Sequence, residues 1–132
     1  MRNQFQENCF CLIQESCLLW IDAHADINTL ANSGSGNMHG MPVSFNIPEL
    51  FEENGVDSLD MADLKKWFTP KLNPVRMAYI GLRAVDPEEK LLLEKLNIPT
   101  YTMQEVDDLG IREVNISRIF DRRVYPIHIL FP

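Results

Sequence analysis

The sequence predicts an α/β fold with a mostly parallel sheet of about four strands, and three observations support this. First, 132 residues are enough for one ordinary domain, and a hydrophobic content of 45% is enough to bury a core. Second, four short apolar runs lack polar–apolar alternation, as expected of strands buried on both faces. Third, helical segments separate the last three runs, which favours parallel strands with right-handed crossovers. The predicted strands are residues 17–22, 75–82, 98–103 and 124–131.

The stretch between the first two predicted strands is less regular. Four prolines fall between residues 42 and 74, and proline removes a backbone donor and disfavours helix interiors. We therefore expect only two short helices in this stretch, at residues 47–54 and 61–68.

Helix signals are clearer after the second strand. Asp86 suits the N-cap of a helix and Pro87 its first position, while the leucines at 91–93 supply an apolar face. A further helix is predicted at residues 104–109, ended by Gly110, and another at residues 113–120.

Charge and cysteine content limit the classes of partner and compartment. The chain has 12 basic and 19 acidic residues, a net charge of -7 and an isoelectric point near 4.8, which disfavours nucleic acid as a partner. Its 3 cysteines lie close together near the start and do not form a spread-out disulfide framework. No apolar run reaches the ~18 residues that span a bilayer, and no signal peptide is evident. We expect a cytoplasmic protein with no membrane partner, and a mitochondrial location stays open.

A candidate metal-binding pattern follows the first predicted strand directly. Asp22, His24 and Asp26 alternate with small residues, so an extended segment would place all three side chains on one side. Two hard carboxylates and an imidazole suit a first-row divalent ion such as Mn2+ better than a thiolate-loving metal. The same pattern fits a solvated acidic loop, and on its own it leaves both interpretations open.

A polar loop with several glycines follows at residues 33–42. Its hydroxyl and amide groups are suited to holding a small hydrogen-bonding ligand, and His39 is suited to moving protons beside one. Taken alone, this segment equally fits an ordinary surface loop.

Taken together, these segments resemble the arginase family of binuclear manganese ureohydrolases. The resemblance is carried, in order, by WIDAHADINT, SGSGNMHGMPVSF, YIGLRAVDPEEK, YTMQEVDDLGI and PIH. It runs from about Leu18 to Phe131, so we divide the chain into an unmatched segment, 1–16, and an incomplete arginase-like α/β domain, 17–132. The resemblance implies a partial three-layer αβα fold and a place in arginine metabolism.

The resemblance also implies Mn2+-dependent hydrolysis of L-arginine to L-ornithine and urea. Asp22, His24 and Asp26 resemble the family's metal ligands, and His39 resembles its proton-shuttling histidine. Residues that resemble the family's contacts with the substrate's α-carboxylate and α-amino groups are Asn28, Ser33, Ser35, Asp86 and Glu89, the last acting through water. Agmatine lacks the α-carboxylate, so L-arginine is favoured, although a related guanidino substrate stays open.

Several family positions are changed or missing in this sequence. Nothing in residues 1–16 supplies the family's upstream metal-binding histidine, and Pro132 takes the place of the first Asp in its Asp-x-Asp ligand pair. Ala84 replaces a supporting Asp, and a later acidic residue that anchors the guanidinium group is absent. The family binds two Mn2+ ions, whose four positive charges would here meet only two carboxylates. We therefore expect at most one weakly bound Mn2+ and a chain, truncated at both ends, that is inactive alone.

The family's sheet implies the strand order last, first, second, third, with a ligand site at the switch between the last and first strands. The outer edge of the last strand is then unpaired, and an apolar edge of this kind invites pairing with another chain. A second hypothesis is therefore a non-catalytic protein that forms homo-oligomers, or mixed oligomers with full-length arginase. An incomplete or misassigned gene product is a third.

Overall fold

The computed structural model describes residues 16–55, 62–114 and 127–130. Residues 111–113 form a turn, and the rest of the helix predicted at 113–120 lies outside the described residues, apart from a bend at Val114. Pro132 also lies outside them.

The described strands form one parallel sheet of the predicted kind. Its members are β1 (Cys17–Ile21), β2 (Met77–Leu82), β3 (Thr100–Thr102) and β4 (Ile127–Leu130), in the order β3-β2-β1-β4. All three pairings are parallel. The prediction that the last strand lies beside the first is therefore confirmed, and the carboxyl end of β1 lies at the switch point.

Two strands begin later than predicted. Residues Pro74–Arg76 form a 3-10 turn whose N-cap, Asn73, accepts a hydrogen bond from the backbone N–H of Val75 at 3.1 Å, and β2 starts only afterwards. Ile98 is buried but precedes Pro99, which has no N–H to contribute to a ladder, and β3 starts at Thr100. Local capping and proline chemistry thus shorten apolar runs that look like longer strands.

Gly81 forms an irregularity at the end of β2. Its φ of +91° lies in a region that side-chain-bearing residues rarely adopt, and the register against β3 shifts between Ile80 and Leu82. A Cβ at this position would lie 3.6 Å from the carbonyl oxygen of Asp22. Glycine adopts this positive φ without strain and therefore permits the bulge at the end of β2, beside the chain that leaves β1.

The described part of the chain contains four α-helices, and each begins within one residue of the start of a predicted helix. They are α1 (Pro48–Phe51), α2 (Ala62–Trp67), α3 (Pro87–Lys95) and α4 (Met103–Leu109). α1 is shorter than predicted because residues Glu52–Asn54 continue as a 3-10 turn, which ends at Gly55 with φ of +64°.

Both longer helices begin at capping residues. Asp86 is the N-cap of α3, as predicted, and its backbone N–H donates to the Glu89 carboxylate at 3.0 Å. In α4, Thr102 and Glu105 form the reciprocal capping box, with the Thr102 N–H donating to Glu105 Oε2 at 2.7 Å. These side chains satisfy amides that the first helical turn would otherwise leave unpaired.

The sheet is buried on both faces, which makes three layers. Alternate residues of β1 and β2 point to opposite sides, and α3 covers one side through Leu92 and Leu93 while α4 covers the other through Val106. Leu91, predicted to share the apolar face of α3, is instead 65% exposed. The partial three-layer αβα architecture is confirmed. No helix among the described residues is long and apolar enough to cross a membrane.

Candidate functional site

The candidate metal residues lie in the segment that leaves β1, residues 22–28, which we call the ligand loop. Backbone hydrogen bonds join it to β2 and to the segment that follows β2. The Asp22 N–H donates to the Ile80 carbonyl at 3.2 Å, and the N–H groups of Arg83 and Ala84 both donate to the Ala23 carbonyl at 2.9 Å. The loop therefore lies at the carboxyl edge of the two central strands, where parallel sheets place their ligand sites.

The ligand loop is not extended, and the prediction that an extended segment aligns its three side chains is wrong. Residues 22–24 bend, because the Asp22 carboxylate accepts a hydrogen bond from the His24 N–H at 3.0 Å. A short acidic side chain competes in this way with strand pairing. Asp26 then adopts the left-handed conformation, with φ of +51°.

Even so, the folded loop brings the candidate ligands near one another. His24 Nδ1 lies 3.4 Å from Asp22 Oδ1. Burial raises the pKa of Asp26, and the charge of Asp22 raises it further, while His24 and His39 lower it. The Asp26 carboxylate accepts no hydrogen bond from any residue that the structure describes. It is therefore a half-buried anion available to a cation.

His39 belongs to a second loop that folds back onto the first. It lies in the 3-10 turn Met38–Gly40, where its N–H donates to the Asn37 side chain at 3.2 Å. The Asn28 N–H donates to the Gly40 carbonyl at 3.0 Å, which ties the two loops together. The His39 side chain itself is exposed to solvent.

Ser33 and Ser35 shape the exposed part of this second loop. Ser33 Oγ accepts a hydrogen bond from the Gly36 N–H at 3.1 Å, and Ser35 Oγ accepts one from the Asn37 N–H at 3.2 Å. Within the described residues, neither hydroxyl forms a hydrogen bond with Asn28 or Asp86. The predicted substrate contacts thus fall into two groups that no side-chain hydrogen bond joins.

Asn28 and Asp86 form the other group. Asn28 Nδ2 donates to Asp86 Oδ2 at 3.3 Å, although the two residues are far apart in sequence. The side chain of Asn28 is buried, and its Oδ1 has no hydrogen-bond partner among the described residues. This pair joins the end of the ligand loop to the start of α3.

Glu89 lies buried between the ligand loop and the start of α3. Only 4% of it is exposed, and its Oε1 accepts a hydrogen bond from the Ile27 N–H at 3.2 Å while Oε2 caps α3.

Tyr79 is a site residue that the sequence motifs do not single out. It is fully buried, and its hydroxyl donates to the Ala25 carbonyl at 2.6 Å. A tyrosine inside a buried strand was the available signal, because a buried phenol needs a hydrogen-bond partner.

The described residues do not make a complete metal site. No group of three or more His, Cys, Asp or Glu side chains is arranged to hold a metal within residues 16–55, 62–114 and 127–130. Two neighbouring carboxylates and an exposed imidazole match part of the shell of one hard divalent ion, and they do not match the donor set that two ions require.

Glu89 predicts a pH dependence of stability. Burial raises its pKa above the usual 4.5; hydrogen bonds from the backbone of Asp86 and Ile27 oppose this, and the charges of Asp86 and Asp26 add to it. Nearby Tyr79 is also affected, since burial and then the charge of Glu89 raise the pKa of its phenol. A raised carboxyl pKa means that Glu89 loses its proton at a higher pH in the folded chain than in the unfolded chain.

The stabilising contribution of protonated Glu89 is therefore fully present below pH 4.5 and is lost as the pH rises through the raised pKa. We expect Glu89→Gln to flatten this part of the profile when the free energy of unfolding is measured by chemical denaturation at several pH values. Equal slopes in the two proteins would contradict the assignment.

The family to which the chain belongs follows from a comparison with known protein families. The sequence model described as "Arginase family" matches residues 4–131. The chain belongs to the arginase family. The match includes residues 4–16, which the sequence motifs leave unmatched. The division of the chain at residue 16 stays a prediction.

Individual arginases are similar to the chain over most of its length. "Arginase-2, mitochondrial" of Mus musculus is 42% identical over 118 residues, covering 87% of this chain and 32% of the mouse protein. "Arginase-1" of Sus scrofa is also 42% identical over 118 residues, covering 87% of this chain and 35% of the pig protein. The chain thus spans about a third of the length of the curated arginases it matches.

Solved arginase structures share the fold. The cold-adapted arginase of the yeast Glaciozyma antarctica superposes with a TM-score of 0.68 at 39% identity, covering 88% of this chain and 40% of that one. Entamoeba histolytica arginase, solved in complex with L-ornithine, gives a TM-score of 0.67 at 28% identity, covering 87% of this chain and 36% of that one. The arginase-like α/β fold predicted from the motifs is therefore confirmed.

Proposed function

We propose that the chain carries one part of an arginase-type site for Mn2+-dependent hydrolysis of L-arginine to L-ornithine and urea. Asp22, His24 and Asp26 would be its metal ligands, and His39 would transfer protons. The observation that supports this most directly is the position of Asp22, His24 and Asp26 in one loop at the carboxyl edge of β1, where His24 Nδ1 lies 3.4 Å from Asp22 Oδ1. That edge is the switch point of the sheet.

The substrate's α-groups would lie beside this cluster. Asn28 and Asp86 touch each other and offer an amide and a carboxylate, which suit the α-carboxylate and α-ammonium groups of an amino acid. Ser33 and Ser35 would act from the facing loop, and Glu89 would reach the amino group through water. Agmatine, which has no α-carboxylate, would leave part of this set unused.

The same geometry supports the proposal that the chain alone is inactive. Asp22 and Asp26 are the two carboxylates of the ligand loop, and within the described residues no group of three or more His, Cys, Asp or Glu side chains is arranged to hold a metal. Two divalent ions would keep uncompensated positive charge at such a site, so one weakly held Mn2+, largely hydrated, is the most we expect.

The test of activity is urea release from L-arginine by the purified chain with added Mn2+. We expect no release above that of Mn2+ in buffer, while a full-length arginase assayed in parallel releases urea readily. Release at a rate near that of the full-length enzyme would contradict the proposal of inactivity and would support a complete site.

Metal binding is tested separately by titrating the chain with Mn2+ and following the free ion by electron paramagnetic resonance. We expect at most one site, which Asp26→Asn removes because a neutral amide replaces a half-buried anion. Asp107→Asn is the matched control, since it removes the same charge from an exposed position on α4. Equal binding by both variants would show that the ion binds elsewhere.

A second candidate function is supported by β4. This strand pairs with β1 along one edge, and Ile129 on it is 50% exposed. An apolar strand edge can add to the sheet of another chain, so the protein would form homo-oligomers or join full-length arginase subunits. Co-expression with a full-length arginase and size-exclusion chromatography tests this, and complete separation of the two chains would count against it.

A further inference from the structure

The ligand loop holds a conformation that its own sequence does not favour. Asp26 has φ of +51°, a region that costs a side-chain-bearing residue free energy and persists only where the surroundings hold the backbone there. Asp22 and Asp26 belong to this loop, so the relative placement of their carboxylates depends on whatever fixes its backbone.

Tyr79 fixes the loop on one side of Asp26. Its ring lies in the core beneath the loop, and its hydroxyl donates to the carbonyl oxygen of Ala25 at 2.6 Å. Both residues are fully buried, so no water replaces this hydrogen bond when it is lost.

Glu89 fixes the loop on the other side. Its Oε1 accepts from the Ile27 N–H at 3.2 Å, and its Oε2 accepts from the Asp86 N–H at 3.0 Å. One carboxylate therefore ties the residue after Asp26 to the N-cap of α3. Both of its oxygens are already engaged with backbone amides, in a group that is 4% exposed.

We propose that Tyr79 and Glu89 are positioning residues, which clamp the backbone on either side of Asp26 and so set how Asp22 and Asp26 face a metal ion. The proposal rests on the proposed function for the ligand role of the two aspartates. It gives Glu89 a task that requires no contact with substrate. Val43 adds a backbone hydrogen bond to the Asp26 carbonyl at 3.0 Å, which makes its amide a reporter of the loop.

The test is amide hydrogen exchange measured residue by residue by NMR, without metal. In Tyr79→Phe we expect the amides of Ile27 and Val43 to exchange roughly three- to tenfold faster, and those of β1 and β2 to change less. Tyr101→Phe is the matched control, because its hydroxyl makes no hydrogen bond within the described residues, and it should change neither group. Equal acceleration of loop and strand amides, or none, would overturn the clamp.

The carboxylate clamp is tested with Glu89→Gln, which keeps the shape but presents an NH2 donor to one of the two amides. We expect faster exchange at Ile27. Glu105→Gln is its control, because Glu105 occupies the same capping-box position in α4 and should affect only that helix. No difference between the two variants at Ile27 would overturn the role of Glu89.

A Mn2+ titration of the same variants separates the clamp from the metal proposal. If the unmodified chain binds Mn2+, Tyr79→Phe should weaken binding several-fold and Tyr101→Phe should not; unchanged affinity in Tyr79→Phe would overturn the positioning role. If the unmodified chain does not bind Mn2+, the proposed ligand role fails, and the exchange measurements still decide whether the clamps exist.

Discussion

Leu19→Ala is expected to lower the free energy of unfolding by about 3–5 kcal/mol, the usual cost of a cavity at a fully buried leucine. Leu19 is 1% exposed and lies at the centre of β1, paired with Ala78 on one side and Ile129 on the other. Since domains are stable by roughly 5–15 kcal/mol, such a loss is a large fraction of the total.

The matched control for this substitution is Leu91→Ala on α3. Leu91 is 65% exposed, and alanine favours helix, so we expect a change within about 0.5 kcal/mol. Chemical denaturation followed by circular dichroism measures both variants. Comparable losses in the two would mean that the packing described for β1 is incorrect.

Asn54→Ala is expected to lower the free energy of unfolding by about 2–4 kcal/mol, because it leaves several buried polar groups without their hydrogen-bond partner. Asn54 is fully buried at the end of the 3-10 turn that follows α1. Its Oδ1 accepts from the Leu30 N–H at 3.1 Å, and its Nδ2 donates to Ser44 Oγ at 3.0 Å and to the Leu50 carbonyl at 3.2 Å.

The effect should reach the candidate site, since Ser44 in turn donates to the Asn28 carbonyl at 2.7 Å. Asn73→Ala provides the comparison. Asn73 also accepts a backbone hydrogen bond but is exposed, so its loss should cost about 1 kcal/mol, as for other caps. Thermal or chemical unfolding distinguishes the two, and a smaller loss for Asn54→Ala than for Asn73→Ala would contradict this account.

Local chemistry made much of the fold predictable. Asp86 followed by Pro87 marks the start of α3 because capping and a fixed φ act within a few residues. Strand order came instead from the family resemblance, which the sheet confirms. Strand limits were less predictable, because the turn at Pro74–Arg76 and the missing N–H of Pro99 compete with the apolar pattern.

The site was predictable as a list of residues and less so as a geometry. The motif selects Asp22, His24 and Asp26, but an extended segment is the wrong conformation, because Asp22 bonds to the His24 N–H. The hydrogen bond between Glu89 and Ile27 spans 62 residues, and no local pattern signals it. Long-range contacts of this kind depend on how the layers pack, which spacing along the chain does not encode.

The pairing of β1 with β4 has a consequence for synthesis of the chain. Cys17 is aligned with Ile127, more than a hundred residues later. On the ribosome, β1 can pair with β2, and β2 with β3, well before β4 is synthesised. The second edge of β1 therefore stays unpaired until almost the whole described sequence has been translated. Such long-range parallel pairing is slow to form. Until it forms, the unpaired edge of β1 is accessible to other nascent chains and to chaperones.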